Sequence, residues 1–228
     1  MTTFALVHGA WHGSWCWDRL APELEARGHG VIAVDLPAES ATAGMTAYRD
    51  VVLGALDAVG EDVVLVGHSL GGITVPLVGA ARPVRRVVYL TPAIPEPGRS
   101  LVETLEAKPQ NIANVLAELE VVDGAFVRYD PDRPELLYNG CDAADTDWAM
   151  SKLTLQALQP MVEPFPADGL PDAPSTVILG RDDRLIDVAL ASAIAEERLG
   201  VTPVVVPSGH SPFLSMPAAL AELLVGLG

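Results

Sequence analysis

Apolar residues in this chain gather in short unbroken runs, not in strict alternation with polar ones. Residues 3–7 (Thr-Phe-Ala-Leu-Val), 31–34 (Val-Ile-Ala-Val), 63–66 (Val-Val-Leu-Val), 84–90, 175–179 and 202–206 are short and rich in β-branched residues. Such a run, apolar on both faces, predicts a strand buried within a parallel sheet. Between the runs the period changes. Residues 14–27 place Leu20 and Leu24 at helical spacing, with Ser14 as a cap and Gly28 and Gly30 beyond the end. Residues 46–59 carry Val51, Val52, Ala55, Leu56 and Val59 on one stripe, and 72–81, 187–199 and 212–227 read as further helices. Strands alternating with helices predict an α/β chain, a mostly parallel sheet of about six strands flanked by helices.

The rhythm breaks near Ala93. Pro95, Pro97, Pro109, Pro131 and Pro134 interrupt the middle of the chain, and Pro160, Pro164, Pro166, Pro171 and Pro174 mark the way out. Two helical stretches are predicted there, at 101–119 and 142–158, with a hairpin turning at Asp123-Gly124 between them. This insertion is expected to form a helical cap over residues 93–167, leaving 1–92 and 168–228 as the core of one structural domain. The pattern shows no repeat and no low-complexity tract.

Composition narrows the picture. The chain has 228 residues, half of them hydrophobic, enough for one large core. Acidic residues outnumber basic ones 30 to 14, a net charge of −16, which argues against nucleic acid and anionic membranes as partners. Two cysteines, Cys16 and Cys141, stand far apart in no metal-like spacing, which favours a reduced chain over a disulfide-stapled one. Met1-Thr2-Thr3 leads straight into the first strand without a basic region or an apolar signal core, and no apolar run is long enough for a bilayer. A soluble cytoplasmic protein is expected; a homodimer is compatible with the sequence.

Candidate chemistry centres on one turn. The run at 63–66 passes without a gap into Gly67-His68-Ser69-Leu70-Gly71 and then into an apolar helix. Strand, G-x-S-x-G and helix together form the setting of a nucleophile elbow, where small flanking residues let strand and helix approach and lift the serine hydroxyl above the sheet. Serine is a weak nucleophile and needs a base, itself held by a third group. In a parallel sheet such groups belong on loops at the carboxyl ends of strands. Gly180-Arg181-Asp182-Asp183 follows one strand, and Pro207-Ser208-Gly209-His210 follows the last. His210 is the candidate base, with either aspartate as its partner, in the chain order Ser, Asp, His. Attack on a carbonyl creates an oxyanion, for which the amides of Leu70 and Ala10 are the candidate donors, Gly9 letting the first loop come close. Trp11 and Trp148 are candidate walls of an apolar pocket; His12 and His68 are expected to pack. No cofactor or metal is implied.

The chain resembles the α/β-hydrolase superfamily, and within it the branch of plant methylesterases, hydroxynitrile lyases and their bacterial relatives. Residues 4–17 (Phe-Ala-Leu-Val-His-Gly-Ala-Trp-His-Gly-Ser-Trp-Cys-Trp), 67–72, 137–141 (Leu-Tyr-Asn-Gly-Cys) and 209–213 (Gly-His-Ser-Pro-Phe) carry the likeness. It implies the α/β-hydrolase fold, a triad of Ser69, His210 and an acid, and the oxyanion donors Ala10 and Leu70. It also implies that the acid is the second of the pair, Asp183, ahead of Arg184-Leu185-Ile186. Lyase members resemble the chain but carry threonine in the first loop and lysine after the histidine, where Gly9 and Ser211 stand here. The expectation is a serine esterase acting on a small, largely apolar carboxylic ester through an acyl-enzyme. A lactonase or thioesterase, or a ligand-binding homologue of low turnover, is compatible with the same residues.

Overall fold

The computed structural model describes residues 1–107, 120–166 and 170–228. All six predicted runs are strands of one parallel sheet: β1 (Thr3–Val7), β2 (Gly30–Val34), β3 (Val63–His68), β4 (Arg86–Leu90), then, past three short strands of a second sheet, β8 (Ser175–Gly180) and β9 (Val204–Val206). Their order is β2-β1-β3-β4-β8-β9. Because successive side chains point to opposite faces, the apolar runs supply two cores. Phe4, Leu6, Val64, Val66, Val88, Leu90 and Ile178 face helices Ala21–Glu25 and Pro217–Leu227 through Leu20, Leu24, Leu220 and Leu224. Ala5, Val7, Val63, Leu65, Val87, Tyr89, Val177 and Leu179 face helices Met45–Ala55, Val75–Ala81 and Val188–Leu199 through Tyr48, Val52, Val75, Val78, Ala191 and Ala195.

The helices depart from the pattern where side chains find other partners. Ser14 caps nothing. Its amide and hydroxyl both donate to the Asp35 carboxylate, at 2.6 and 2.8 Å, so the predicted helix over 14–27 becomes a 3-10 turn (Ser14–Trp17) and a short helix (Ala21–Glu25). The final helix is broken at Met216, because Pro217 brings no N–H to continue helix Pro212–Ser215. The helix after β3 opens as a 3-10 turn, Ser69–Ile73, and only then becomes regular.

Between β4 and β8 the alternation stops. β5 (Glu120–Val122) and β6 (Phe126–Arg128) form the predicted antiparallel hairpin, and Asp123 and Gly124 both take positive φ, 51° and 66°, as a tight turn of matching twist requires. β7 (Gln156–Ala157) joins β6, so the helix expected through 158 stops at Met150. The helix expected over 101–119 begins as Leu101–Ala107; its remainder, residues 108–119, and the boundary drawn at 167 and 168 lie outside the described residues.

The 3-10 turn after β3 presses directly on β1. A Cβ on Gly71 would stand 2.6 Å from the Val7 carbonyl oxygen and 2.8 Å from that of His8. Both obstacles are backbone, at the last residue of β1 and the one after it, so they cannot swing aside as a side chain would. Gly71→Ala is therefore expected to lower stability by about 1–3 kcal/mol, as overpacked cores do, read as a shifted urea midpoint. An unshifted midpoint would show that the turn and β1 have room to spare.

Candidate active site

Three adjacent strands end in strained backbone. Among the described residues, four non-glycine residues have positive φ, and three of them follow the carboxyl ends of neighbouring strands: Trp11 (64°) past β1, Ser69 (48°) past β3 and Thr91 (42°) past β4. Such conformations cost on the order of 1–3 kcal/mol each and persist only where the surroundings enforce them. For Ser69 the enforcement is visible. Gly71 and Gly72 are pressed against β1 and against the chain at Pro92 and Ala93, and the Ala93 amide donates to the Ser69 carbonyl at 2.9 Å. The serine is lifted above the sheet at the start of the 3-10 turn, half-buried.

His210 lies in the loop after β9, fully buried. Its Nδ1 is 2.8 Å from Oδ2 of Asp183, in the loop after β8, whose side chain is 2% exposed. The other oxygen of Asp183 accepts the amides of Leu185 and Ile186 at 2.8 and 2.9 Å, which fixes the carboxylate. Asp182 points the other way: it is exposed and pairs with Arg181 at 3.2 Å. The loop is held from outside by Asn139, whose side-chain amide donates to the Asp182 carbonyl at 2.7 Å. On the far side of the imidazole, Nε2 of His210 is buried and has no hydrogen-bond partner among the described residues. Such bonds often tighten only once a substrate is present.

Ser69 opens on a mostly apolar cavity. Ala10, Trp11, Leu70, Met161, Leu185, Ile186 and Ile194 are among the residues that line it. Among the described residues, neither the Ala10 nor the Leu70 amide is taken up in a loop or turn hydrogen bond. Gly9 leaves the first loop no room for a side chain: a Cβ there would stand 2.8 Å from Cβ of Ser69 and 2.9 Å from Nδ1 of His68. Trp11 ties this loop to the inserted segment, its indole donating to the Val127 carbonyl at 3.2 Å and its own carbonyl accepting from Thr154 at 2.9 Å. Trp148, expected at the pocket wall, is not in the lining. It packs edge-on against Trp15 at 5.4 Å, with Arg19 and Lys152 over its ring at 5.3 and 5.2 Å. Its apolar area is satisfied by another tryptophan and two cations instead. The walls contributed by Met161 and by residues 185–198 went unnoticed in the sequence, although Leu185 and Ile186 directly follow the acid pair.

A parallel sheet covered on both faces, with a strained serine turn after its third strand and a paired Asp and His on two later loops, defines a hydrolase-type α/β protein. Residues 4–223 match the model of the alpha/beta hydrolase family, and the chain belongs to that family. It is 32% identical over the full length of both chains to a carbendazim hydrolyzing esterase of Nocardioides sp. (strain SG-4G). Methylesterase 3 of Arabidopsis thaliana is 44% identical over 82 residues, 32% of this chain and 31% of that one. The structure of a pyrethroid hydrolase from Sphingobium faniae JZ-2 superposes with a TM-score of 0.88 at 26% identity, covering 99% of this chain and 96% of that one.

Three further histidines are buried around the site. His8 accepts the Leu36 amide at Nε2 (3.0 Å), His12 contacts the Tyr138 hydroxyl (2.8 Å), and His68 contacts the His210 carbonyl (3.1 Å). Burial holds all three below the usual histidine value: His8 is lowered, His68 is held well below that usual value, and His12 falls to about 3. Unfolding releases them to the normal value near 6.5. Between the folded and unfolded values the unfolded chain binds more protons, so stability rises with pH in that window. The fold should therefore hold its Tm above about pH 7 and lose it steeply as pH falls through about 6.5. A Tm that stays level down to pH 5 would contradict this burial of neutral imidazoles.

Proposed function

We propose that the protein is a serine hydrolase that cleaves small, largely apolar carboxylic esters through an acyl-enzyme. The observation that carries this reading is the buried 2.8 Å bond between Asp183 and His210, beside a strained serine that faces an apolar cavity. Relatives spanning the chain that act as esterases or hydrolases support the same reaction type. Ser69 Oγ attacks the ester carbonyl and its proton passes to Nε2 of His210. Asp183 holds the imidazole in the tautomer that leaves Nε2 free to accept, and stabilises it once charged. Charge developing on the carbonyl oxygen is met by the amides of Ala10 and Leu70. His210 returns its proton to the departing alcohol, and water, activated by the same histidine, releases the acid. Residues 93–167 act as the cap over the cavity, with 1–92 and 168–228 as the core. Gly9 supplies no hydroxyl to hold a cyanohydrin and Ser211 no cation for a departing cyanide, so hydrolysis and not cyanohydrin cleavage follows.

The roles separate by mutation. Ser69→Ala should abolish turnover of a short aryl ester such as 4-nitrophenyl acetate in a protein of unchanged fold. Asp183→Asn should cut kcat/KM by on the order of 10³–10⁴-fold, whereas Asp182→Asn, changing only an exposed pair, should stay near wild type. Substantial activity in folded Ser69→Ala would end the serine mechanism, and the reverse ranking of the aspartates would end the assignment of Asp183. On one preparation, mandelonitrile should release negligible cyanide; release comparable with ester turnover would end the esterase reading.

A further inference from the structure

The carbonyl oxygen of His210 receives two side-chain hydrogen bonds from two different strand ends. Thr91 Oγ1 donates to it at 2.9 Å, from the end of β4, and Nε2 of His68 lies 3.1 Å away, at the end of β3. A carbonyl oxygen can only accept, so His68 carries its proton on Nε2 and leaves Nδ1 bare. That Nδ1 is buried without a partner among the described residues, a cost that packing alone would not select. Thr91 is equally costly: a β-branched residue at φ 42° is a rare conformer, yet it is the one that brings the hydroxyl to this oxygen, while the Thr91 amide is held on Ile178 at 2.7 Å.

The two donors are also placed to join the parts of the site. His68 directly precedes Ser69, and its ring lies 4.9 Å from that of His210, at an angle of 56°. Nδ1 faces the close approach at Gly9, in the first loop. One imidazole thus touches the serine turn, the first loop and the histidine loop, and Thr91 adds β4 to the same anchor. The 2.8 Å bond to Asp183 fixes the His210 ring only about its Nδ1; the depth and tilt of the ring relative to Ser69 depend on where its backbone is held.

We infer that Thr91 and His68 are positioning residues, which clamp the main chain of His210 so that Nε2 stands at the height of the serine hydroxyl. This rests on the proposed role of His210 as the base. Neither group touches the reacting atoms, so their removal displaces the base without changing how substrate binds. Small displacements of a catalytic group cost up to about a hundredfold in rate.

The test compares Thr91→Val with Thr91→Ser, on 4-nitrophenyl acetate, alongside His210→Ala and thermal unfolding of each. Valine keeps the shape and the branch at Cβ but removes the donor; serine keeps the donor. Thr91→Val is expected to lose roughly tenfold in kcat with KM within about twofold, and Thr91→Ser to recover most of it. A purely structural role would lower Tm in both and leave kcat alone. If Thr91→Val does not fold, His68→Gln, which retains an N–H donor, and His68→Leu, which has none, give the same reading, the leucine variant being about tenfold slower. Equal kcat within each pair, with His210→Ala inactive, would overturn the clamp and leave the hydrolase reading intact. An active His210→Ala would overturn both.

Discussion

Ser69 holds a left-handed backbone that an L-residue avoids, and it does so because the chain around it allows nothing else. Gly71 lies against the last carbonyls of β1, Gly72 against the chain leaving β4, and the Ser69 carbonyl is bonded to Ala93. The strain, on the order of 1–3 kcal/mol, is small against two apolar cores that grip the strands on both faces. The groups of the proposed site are arranged about this turn. The first loop comes so close to the turn that a Cβ at position 9 would meet Ser69 and His68, which is why that position has no side chain. The loops after β8 and β9 must reach across to the same spot, which is why Asn139 in the inserted segment ties down the Asp182 carbonyl.

Two kinds of rigidity meet here. The sheet fixes where each loop starts, while buried polar contacts fix where it ends. Asp183 is bonded on both oxygens, to His210 on one side and to two backbone amides on the other. Buried polar groups that are fully paired are stiff and specific; half-paired ones are costly. The site contains both. Nε2 of His210 and Nδ1 of His68 are among the unpaired atoms of the described residues, and Nδ1 of His68 lies where the first loop meets the serine turn. Neutral buried histidines surround this region, and the polarity of the cavity itself is low. In the proposed reaction, charge that develops on the substrate would meet fixed backbone dipoles in a mostly apolar cavity, the condition under which amide donors act most strongly.

Much of this was legible in the sequence because it is local. Six strands could be read from apolar runs alone, since a strand covered on both faces needs nothing but its own residues to announce itself. The turn at Ser69 was readable for the same reason, as was the hairpin at Asp123-Gly124. What was hidden depends on partners far along the chain. Ser14 looked like a helix cap until Asp35, 21 residues on, took both its donors. Trp148 has the composition of a pocket wall, and only the fold shows that Trp15 is its neighbour. Asp182 and Asp183 differ by one position, and in a loop that step decides between solvent and the imidazole. Thr91 closes a strand in the sequence; its hydroxyl acquires meaning only through a backbone atom 119 residues away.

The central claim is that Ser69 becomes covalently acylated during turnover, and it can be observed directly. Wild-type protein mixed with 4-nitrophenyl acetate in molar excess, quenched in acid within the first turnover and digested, is read by peptide mass spectrometry. One acetyl group confined to the peptide carrying Ser69, absent from the Asp183→Asn protein at the same time point, is the expected result. Rapid product release with no acetylated Ser69 peptide at any time, or acetyl found on another residue at full stoichiometry, would contradict it.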